Sequence, residues 1–182
     1  MKVIETYLKG CFIIEPPVFK DKRGSFMVCF DQQQFQEKTG VTTTFVLDNQ
    51  SISDFGGLRG LHMQKDEYSQ VELVIVTQGK VLDVVVDVTK NSPTYGDSFS
   101  MILSSEDNNQ SYIPEGFLHI FSIIEDNTVF SNICDNYYNT DAKVGVVYND
   151  SDLNIDWVLK EDEVILSEKD KSLIDFREFR RL

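Results

Sequence analysis

The chain has 182 residues, of which 41% are hydrophobic, and its 30 acidic against 17 basic side chains give a formal charge of −13. This acidic balance disfavours a nucleic-acid groove, and no stretch approaches the roughly 18 apolar residues of a membrane-spanning helix. The three cysteines are scattered without CxxC spacing, which indicates free thiols rather than a disulfide framework. We therefore expect a single domain over 1–182 that works in the cytoplasm, with no nucleic-acid or membrane partner.

Short apolar runs separated by turn residues predict that most of the chain forms β-strands. Near the N-terminus, strands are expected at 11–15 and 25–30, and Asp31 and Gly40 are the expected N-cap and stop of one short helix. Further strands are predicted at 43–49, 57–64, 70–78, 80–88, 97–103, 111–113, 117–124 and 127–134. Because no helices alternate with these strands, the pattern predicts an all-β sandwich or barrel rather than a parallel α/β sheet.

Two further features concern how the elements are arranged. Gly79 alone separates the strands at 70–78 and 80–88, so these two are predicted to pair as a hairpin. The C-terminal tail from about residue 155 is expected to pack back on the barrel. Within that tail, Ser167 and Asp170 fit the Ser-x-x-Asp capping box, which supplies acceptors for the free amides at a helix start.

The two histidines are the most informative side chains. His62 ends the run Gly-Leu-Arg-Gly-Leu-His just before a buried strand, and we expect it at a strand end, facing the interior. His119 follows a Pro-x-Gly-x-x-His turn that begins at Pro114, and this turn directs it toward the same interior. Histidine can take and return a proton near neutral pH, since its ordinary pKa is about 6.5. The alternative for His62 is a core histidine satisfied by backbone groups.

One hypothesis places a metal ion between His62, Glu72 and His119. Two histidines and a carboxylate form a known open site for iron or zinc, and the Pro-x-Gly-x-x-His turn resembles that of metal-binding cupins. Those cupins use a His-x-His pair, however, and Gln64 occupies the second of the two positions in this chain. This hypothesis predicts a metal-dependent cupin enzyme.

A second hypothesis requires no metal. It combines a base, His62, with a carboxylate that orients it, Asp170, and a phenolic acid, either Tyr137 or Tyr138. A base and an acid on opposite walls of a pocket suit the inversion of a carbon next to a carbonyl. The base removes the acidic proton from one face and the acid returns a proton to the other. The alternative role for Asp170 is helix capping alone.

Eight motifs, in order along nearly the whole chain, resemble those of the dTDP-4-dehydrorhamnose 3,5-epimerase family. They lie at 22–24, 48–51, 58–64, 91–96, 113–117, 135–138, 155–157 and 165–170. The resemblance implies a cupin-like antiparallel β-barrel or jelly roll with a few short peripheral helices, usually a homodimer, that works without a metal or other cofactor. It implies epimerisation at C3, or at C3 and C5, of a nucleotide-linked 4-keto-6-deoxyhexose, in the biosynthesis of a surface polysaccharide such as the O-antigen of lipopolysaccharide or of a secondary metabolite.

The resemblance also implies roles for particular residues. His62 matches the family's base, Asp170 the carboxylate paired with it and Tyr138 the acid. Arg23 and Arg59 match residues that hold the diphosphate, where a guanidinium fork suits phosphate oxygens. The other substrate-binding positions that match are Phe26, Asn49, Ser51, Gln64 and His119. Of these, Phe26 lies in the N-terminal strand region and is expected to reach the neighbouring site across the dimer.

Three positions depart from the family pattern. Glu72 stands where the family has a lysine beside the reacting carbonyl, and an ionised carboxylate there would oppose the developing enolate charge. Glu72 is therefore protonated or turned away, or another donor holds the oxygen, or the chemistry is reduced to C3 alone or to silent binding of a nucleotide sugar. Val28 and Leu47 replace a glutamate and a glutamine, which weakens the expectation of thymidine and leaves cytidine as a second possibility.

Overall fold

The computed structural model describes residues 1–182. Its strands are β1 Lys2–Glu5, β2 Phe12–Glu15, β3 Val18–Asp21, β4 Gly24–Met27, β5 Leu47–Ser53, β6 Leu58–Gln64, β7 Glu72–Gln78, β8 Lys80–Asp87, β9 Ser98–Ser104, β10 Gln110–Ile113, β11 Phe117–Ile123, β12 Thr128–Cys134 and β13 Lys143–Gly145. The helices are short: α1 Gln32–Thr39, α2 Glu168–Lys171 and α3 Phe176–Phe179. None of them has the length and apolar character needed to cross a lipid bilayer.

The strands form two antiparallel sheets that face each other. One sheet has the order β1-β2-β10-β7-β12-β5 and the other the order β13-β6-β11-β8-β9, while β3 and β4 form a separate hairpin. This architecture confirms the expected all-β, cupin-like jelly roll. The helix predicted between Asp31 and Gly40 is also confirmed, since Asp31 Oδ1 accepts a hydrogen bond from the Gln34 amide at 3.0 Å and Gly40 adopts φ +75°.

The predicted hairpin across Gly79 is wrong. Strand β7 pairs with β10 and β12, whereas β8 pairs with β11 and β9, so the chain changes sheets at this glycine. A Cβ on Gly79, whose φ is +78°, would lie 2.2 Å from Thr128 Oγ1, and only glycine allows this tight passage. Both strands are apolar on both faces, and such strands carry no pattern that identifies their partners.

Several strand boundaries also differ from the predictions. The strand expected at 43–49 is β5 Leu47–Ser53, and the one expected at 25–30 ends at Met27. Strands β1, β3 and β13 were not predicted because they are short and carry charged side chains. Short polar strands lack the apolar alternation from which a strand is recognised in a sequence.

Apolar side chains form three clusters. The inner one fills the space between the sheets and includes the stacked rings of Phe121 and Phe130, whose centroids are 3.8 Å apart. A second lies outside the five-stranded sheet, where Phe176 of α3 is fully buried, and a third buries Phe35 of α1 against the six-stranded sheet. Alternation along β11 sends Phe117, His119 and Phe121 inward, and this brings a histidine into the space between the sheets.

The tail after β13 returns to the five-stranded sheet. Ile165 bridges to Gly57 beside β6, and Ile174 bridges to Val146 just after β13. Trp157 Nε1 donates a hydrogen bond to the Tyr148 carbonyl at 3.2 Å. These contacts carry α2 to the open end of the space between the sheets.

Candidate active site

His62 and Asp170 come together at that open end, although 108 positions separate them in the sequence. The Asp170 Oδ1 atom lies 2.5 Å from His62 Nε2, and Asp170 is buried. Its other oxygen, Oδ2, accepts the Ser167 hydroxyl at 2.8 Å, while Ser167 Oγ caps the Asp170 amide. Ser167 is therefore the N-cap, as expected, but the reciprocal half of the predicted capping box is absent, because Asp170 binds the Ser167 hydroxyl and His62 rather than the Ser167 amide.

The contacts of His62 leave it a free base. With Asp170 accepting the Nε2 proton, the lone pair lies on Nδ1, which makes no hydrogen bond within the protein. Burial lowers the pKa of His62 below its ordinary value, the nearby charge of Lys143 lowers it further, and Asp170 partly opposes both effects. The imidazole is consequently neutral at physiological pH and able to accept a proton.

Two cavities meet at His62. The inner cavity, of about 280 Å³, lies between the sheets and is lined by Leu47, Asn49, Gln64, Gln70, Glu72, Asn132, Tyr138 and neighbouring side chains. The outer cleft, of about 700 Å³, is open to solvent and is lined by residues that include Ser53, Arg59, Lys169 and Asp170. Only His62 and Lys143 line both. A ligand that extends from one space into the other would pass these two side chains.

Tyr138, rather than Tyr137, lines the inner cavity with His62. The backbone on either side of Tyr138 is held by Gln64, whose Nε2 donates to the Tyr137 carbonyl at 3.1 Å and whose Oε1 accepts from the Asn139 amide at 2.6 Å. The phenol itself is 58% exposed. Gln64 thus fixes the backbone segment that carries the phenol, because every hydrogen bond of the Gln64 side chain is made to a backbone group.

His119 lies deeper and is bound on both ring nitrogens. Its Nδ1 lies 2.8 Å from Glu72 Oε2 and its Nε2 lies 2.7 Å from Asp83 Oδ1. Burial alone would lower the pKa of His119, but the charges of Asp83 and Glu72 outweigh it and raise the pKa to about 10. His119 is therefore a buried imidazolium between two carboxylates.

Glu72 is ionised, but its charge is matched. Burial favours the neutral acid, yet His119 and Asn132 hold the pKa of Glu72 below its ordinary value. Asn132 Nδ2 donates to the same Oε2 atom at 2.7 Å. Both nitrogens of His119 donate to carboxylates, so neither offers a lone pair to a metal, and no group of three or more His, Cys, Asp or Glu side chains is arranged to hold one.

The structure does not bring every predicted residue to this site. Arg23 and Phe26 lie on the β3–β4 hairpin, where Arg23 pairs with Asp21 at 2.6 Å and the Phe26 side chain is 67% exposed. The cavity beside them is lined by hairpin residues only. The Ser51 hydroxyl is buried on β5 without a hydrogen-bond partner, whereas Arg59 Nη2 donates to Ser53 Oγ at 3.1 Å in the outer cleft.

Three residues of the site were missed by sequence reasoning. Asp83 is a charged side chain within the apolar run of β8, and that misplaced charge was a usable signal. Asn132 and Lys143 lie on β12 and β13, and no motif in the surrounding sequence indicates that either is functional. Another cavity, of about 900 Å³, is larger than the two at His62 but is lined by residues that include Val88, Tyr95 and Val144 and not by His62.

The fold and the site define a class, the cupin-like jelly rolls whose cavity holds a histidine–carboxylate pair suited to proton transfer. A family model described as dTDP-4-dehydrorhamnose 3,5-epimerase matches residues 5–178, and the chain belongs to this family. The family expected from the eight motifs is therefore confirmed.

Individual members of the family are similar to this chain over nearly their full length. A dTDP-4-dehydrorhamnose 3,5-epimerase of Methanothermobacter thermautotrophicus is 42% identical over 97% of this chain and 95% of that relative. The crystal structure of the corresponding Elizabethkingia anophelis NUHP1 protein is 47% identical, with a TM-score of 0.94 over 98% of this chain and 97% of that one. A Legionella pneumophila epimerase in complex with dTDP-4-keto-L-rhamnose is 39% identical, with a TM-score of 0.92 over 97% and 93% of the two chains.

Proposed function

We propose that the protein is a nucleotide-sugar epimerase that inverts C3, or C3 and C5, of a 4-keto-6-deoxyhexose. The observation that carries this proposal is the neutral His62, oriented by Asp170 at 2.5 Å, in a cavity that Tyr138 also lines. The family and the Legionella complex with dTDP-4-keto-L-rhamnose support the substrate class.

The chemistry consists of two proton transfers. His62 Nδ1 removes the acidic proton from the carbon next to the ketone, and the electrons of that C–H bond pass to the ketone oxygen to give an enolate. Tyr138 then protonates the opposite face of the carbon and the ketone re-forms. Solvent afterwards takes the proton from His62 and restores that of Tyr138, so the net reaction is an isomerisation.

The nucleotide is proposed to extend from the inner cavity into the outer cleft. The hexose would lie beside His62 in the inner cavity, and Arg59 and Lys169 in the cleft offer positive charge for the diphosphate. Leu47 lines the inner cavity, where the hexose is proposed to lie, and not the outer cleft, so it gives no reason to prefer one base. The nucleobase is therefore a matter for direct measurement, with thymidine and cytidine diphosphates as the two candidates.

A homodimer would complete this site. Arg23 and Phe26, on the β3–β4 hairpin, line neither the inner cavity nor the outer cleft, and the two phenylalanines of the hairpin, Phe19 and Phe26, are exposed at 59% and 67%. Strand β5 is an edge of its sheet with an exposed Ile52. Exposed aromatic residues and an open edge are features that a second copy of the chain would cover. Each hairpin would then supply Arg23 and Phe26 to the neighbouring site.

We infer a cytoplasmic location and a role in deoxysugar supply for polysaccharides such as the O-antigen of lipopolysaccharide. The location is supported by three free cysteines, one of them exposed, which suit a reducing compartment. The pathway is supported by the substrate class alone.

Solvent exchange tests the activity. The protein is incubated in D₂O with 4-keto-6-deoxyglucose linked to thymidine or cytidine diphosphate, without added metal and again with a chelator. Deuterium at C3, or at C3 and C5, is expected by NMR under both conditions, and exchange at C5 as fast as at C3 would exclude a C3-only enzyme. Binding of the nucleotide sugar without exchange would instead identify a silent binder, and loss of exchange with the chelator a metal enzyme.

A further inference from the structure

The proposed reaction creates a negative charge that no residue considered so far stabilises. When His62 removes the proton, the charge develops on the ketone oxygen of the sugar, and enzymes gain most from positive groups placed where such charge develops. Among the residues that line the inner cavity, Glu72 is negative and Lys143 is the only lysine or arginine.

Lys143 shares a face of the sheet with the base. In the antiparallel pairing of β13 with β6, Lys143 is opposite Gln64 and Gly145 is opposite His62, so the Lys143 side chain projects from the same face as these two. A Cβ on Gly145 would lie 3.0 Å from the His62 ring, and this close approach brings β13 against the base. Lys143 and His62 are, in addition, the only two residues common to both cavities.

The charge of Lys143 is not matched by the protein. No carboxylate oxygen lies within 4.0 Å of its ammonium group, although Glu72 lines the same cavity. Glu72 is instead bound to His119 at 2.8 Å and to Asn132 at 2.7 Å. A lysine beside the base, with Glu72 already engaged, is available to an anion that enters the cavity.

We propose that the Lys143 ammonium binds the ketone oxygen of the substrate and stabilises the enolate that forms there. This proposal rests on the epimerase function. His62 and Lys143 then act at adjacent carbons of the sugar, His62 on the proton of the α-carbon and Lys143 on the carbonyl oxygen that receives the electrons. Arg59 and Lys169 line only the outer cleft and are left to the diphosphate.

Replacement of Lys143 by methionine tests this role, because methionine keeps much of the length and removes the charge. In Lys143→Met, the rate of deuterium exchange into the 4-keto sugar should fall about 100-fold, the lower range for loss of one stabilising group. Lys143→Arg should recover part of that loss. The matched control is Lys65→Met, one residue past the end of β6, since Lys65 is exposed and lines neither cavity at His62.

A second readout separates a direct role from a structural one. Because the positive charge of Lys143 lowers the pKa of His62, its removal should move the acidic limb of the pH–rate profile toward higher pH. Exchange by Lys143→Met within threefold of the wild-type rate would overturn the proposal. Absence of exchange in the wild type itself would instead overturn the epimerase function, so the two failures are distinguishable.

Discussion

The two histidines of this chain lie opposite each other on β6 and β11, yet they have opposite protonation states. His62 has one carboxylate partner and a lysine nearby, and its pKa is lowered. His119 has two carboxylate partners, and its pKa is raised to about 10. Burial lowers the pKa of both histidines, so burial alone does not determine the protonation state of either one. The balance of neighbouring charges makes one a base and the other a permanent cation.

The two states also serve different purposes. A neutral His62 at the junction of the cavities is free to act on a ligand, whereas a charged His119 holds Glu72 as a carboxylate and binds Asp83 inside the barrel. Glu72 therefore enters the site as part of a hydrogen-bonded group and not as an isolated negative charge. The opposition between Glu72 and an enolate, expected from the sequence, is reduced by this arrangement and by Lys143.

The largest expected effect comes from removing the base. His62→Gln should reduce deuterium exchange by about 10⁴-fold, the upper range for a positioned base, since the other base of the cavity, Glu72, is bound to His119 and Asn132. Its free energy of unfolding should change by less than about 1 kcal/mol, because one hydrogen bond is replaced at a partly exposed position. Exchange measured by NMR and unfolding in urea together give the test. A variant that keeps its activity, or that loses it only by unfolding, would contradict the assignment of the base.

His119→Gln should show the reverse pattern, with stability affected first. It leaves Glu72 and Asp83 buried without their shared cation, and breaking such a group costs about 3–5 kcal/mol. The control is Glu72→Gln, which leaves one imidazolium and one carboxylate and should cost less. Urea unfolding at pH 7 measures both variants. Equal stability of His119→Gln and the wild type would show that the buried charges are not coupled as described.

Asp170→Asn should have an intermediate effect. The amide cannot reproduce the carboxylate that holds the Nε2 proton of His62, so exchange should fall about 100-fold. Because Asp170 raises the pKa of His62, its loss should also shift the acidic limb of the pH–rate profile toward lower pH, opposite to Lys143→Met. The matched control is Ser167→Ala, which removes the cap of the Asp170 amide and the contact with Asp170 Oδ2 but keeps the carboxylate. A similar loss in both variants would mean that the helix cap, and not the carboxylate charge, sustains the activity.

Much of the fold was predictable from the sequence, because the pattern of apolar and polar residues along a strand follows the burial of its side chains. The strands around the site were placed within a few residues, and Asp31 and Gly40 gave the helix limits. The partners of β7 and β8 were not predictable, although they decide where the chain changes sheets. Strands β7 and β8 are buried on both faces, and the sequence of such a strand does not indicate which strand it pairs with.

The site was predictable to the extent that motifs mark it. His62 and Asp170 were selected from motifs that are far apart along the chain, and the structure brings them to 2.5 Å. The state of Glu72 was not predictable, since it depends on His119, Asn132 and Asp83, which come from three other strands. Lys143 was missed for the same reason, because its place beside His62 follows from the pairing of β13 with β6.

The smallest expected effect is the pH dependence of stability, in which the two histidines act in opposite directions. A group whose pKa is raised on folding stabilises the protein fully below its unfolded value, about 6.5, and this stability is lost as the pH rises toward about 10. A group whose pKa is lowered, such as His62, loses stability as the pH falls below about 6.5. Around His62 the charged neighbours are Asp170, Lys143, His119 and Glu72, and around His119 they are Asp83 and Glu72.

The free energy of unfolding should therefore be highest near pH 6.5 and fall by about 1 kcal/mol per pH unit on the alkaline side, since one proton is released on unfolding. Urea unfolding between pH 6.5 and 8.5 isolates His119, because the thiols of Cys11 and Cys134 ionise on unfolding only near their ordinary pKa of 9.0. In Glu72→Gln the pKa of His119 falls, and the alkaline decline should end at a lower pH. A flat profile in the wild type over this range would mean that His119 is neutral, and the contrast between the two histidines would then disappear.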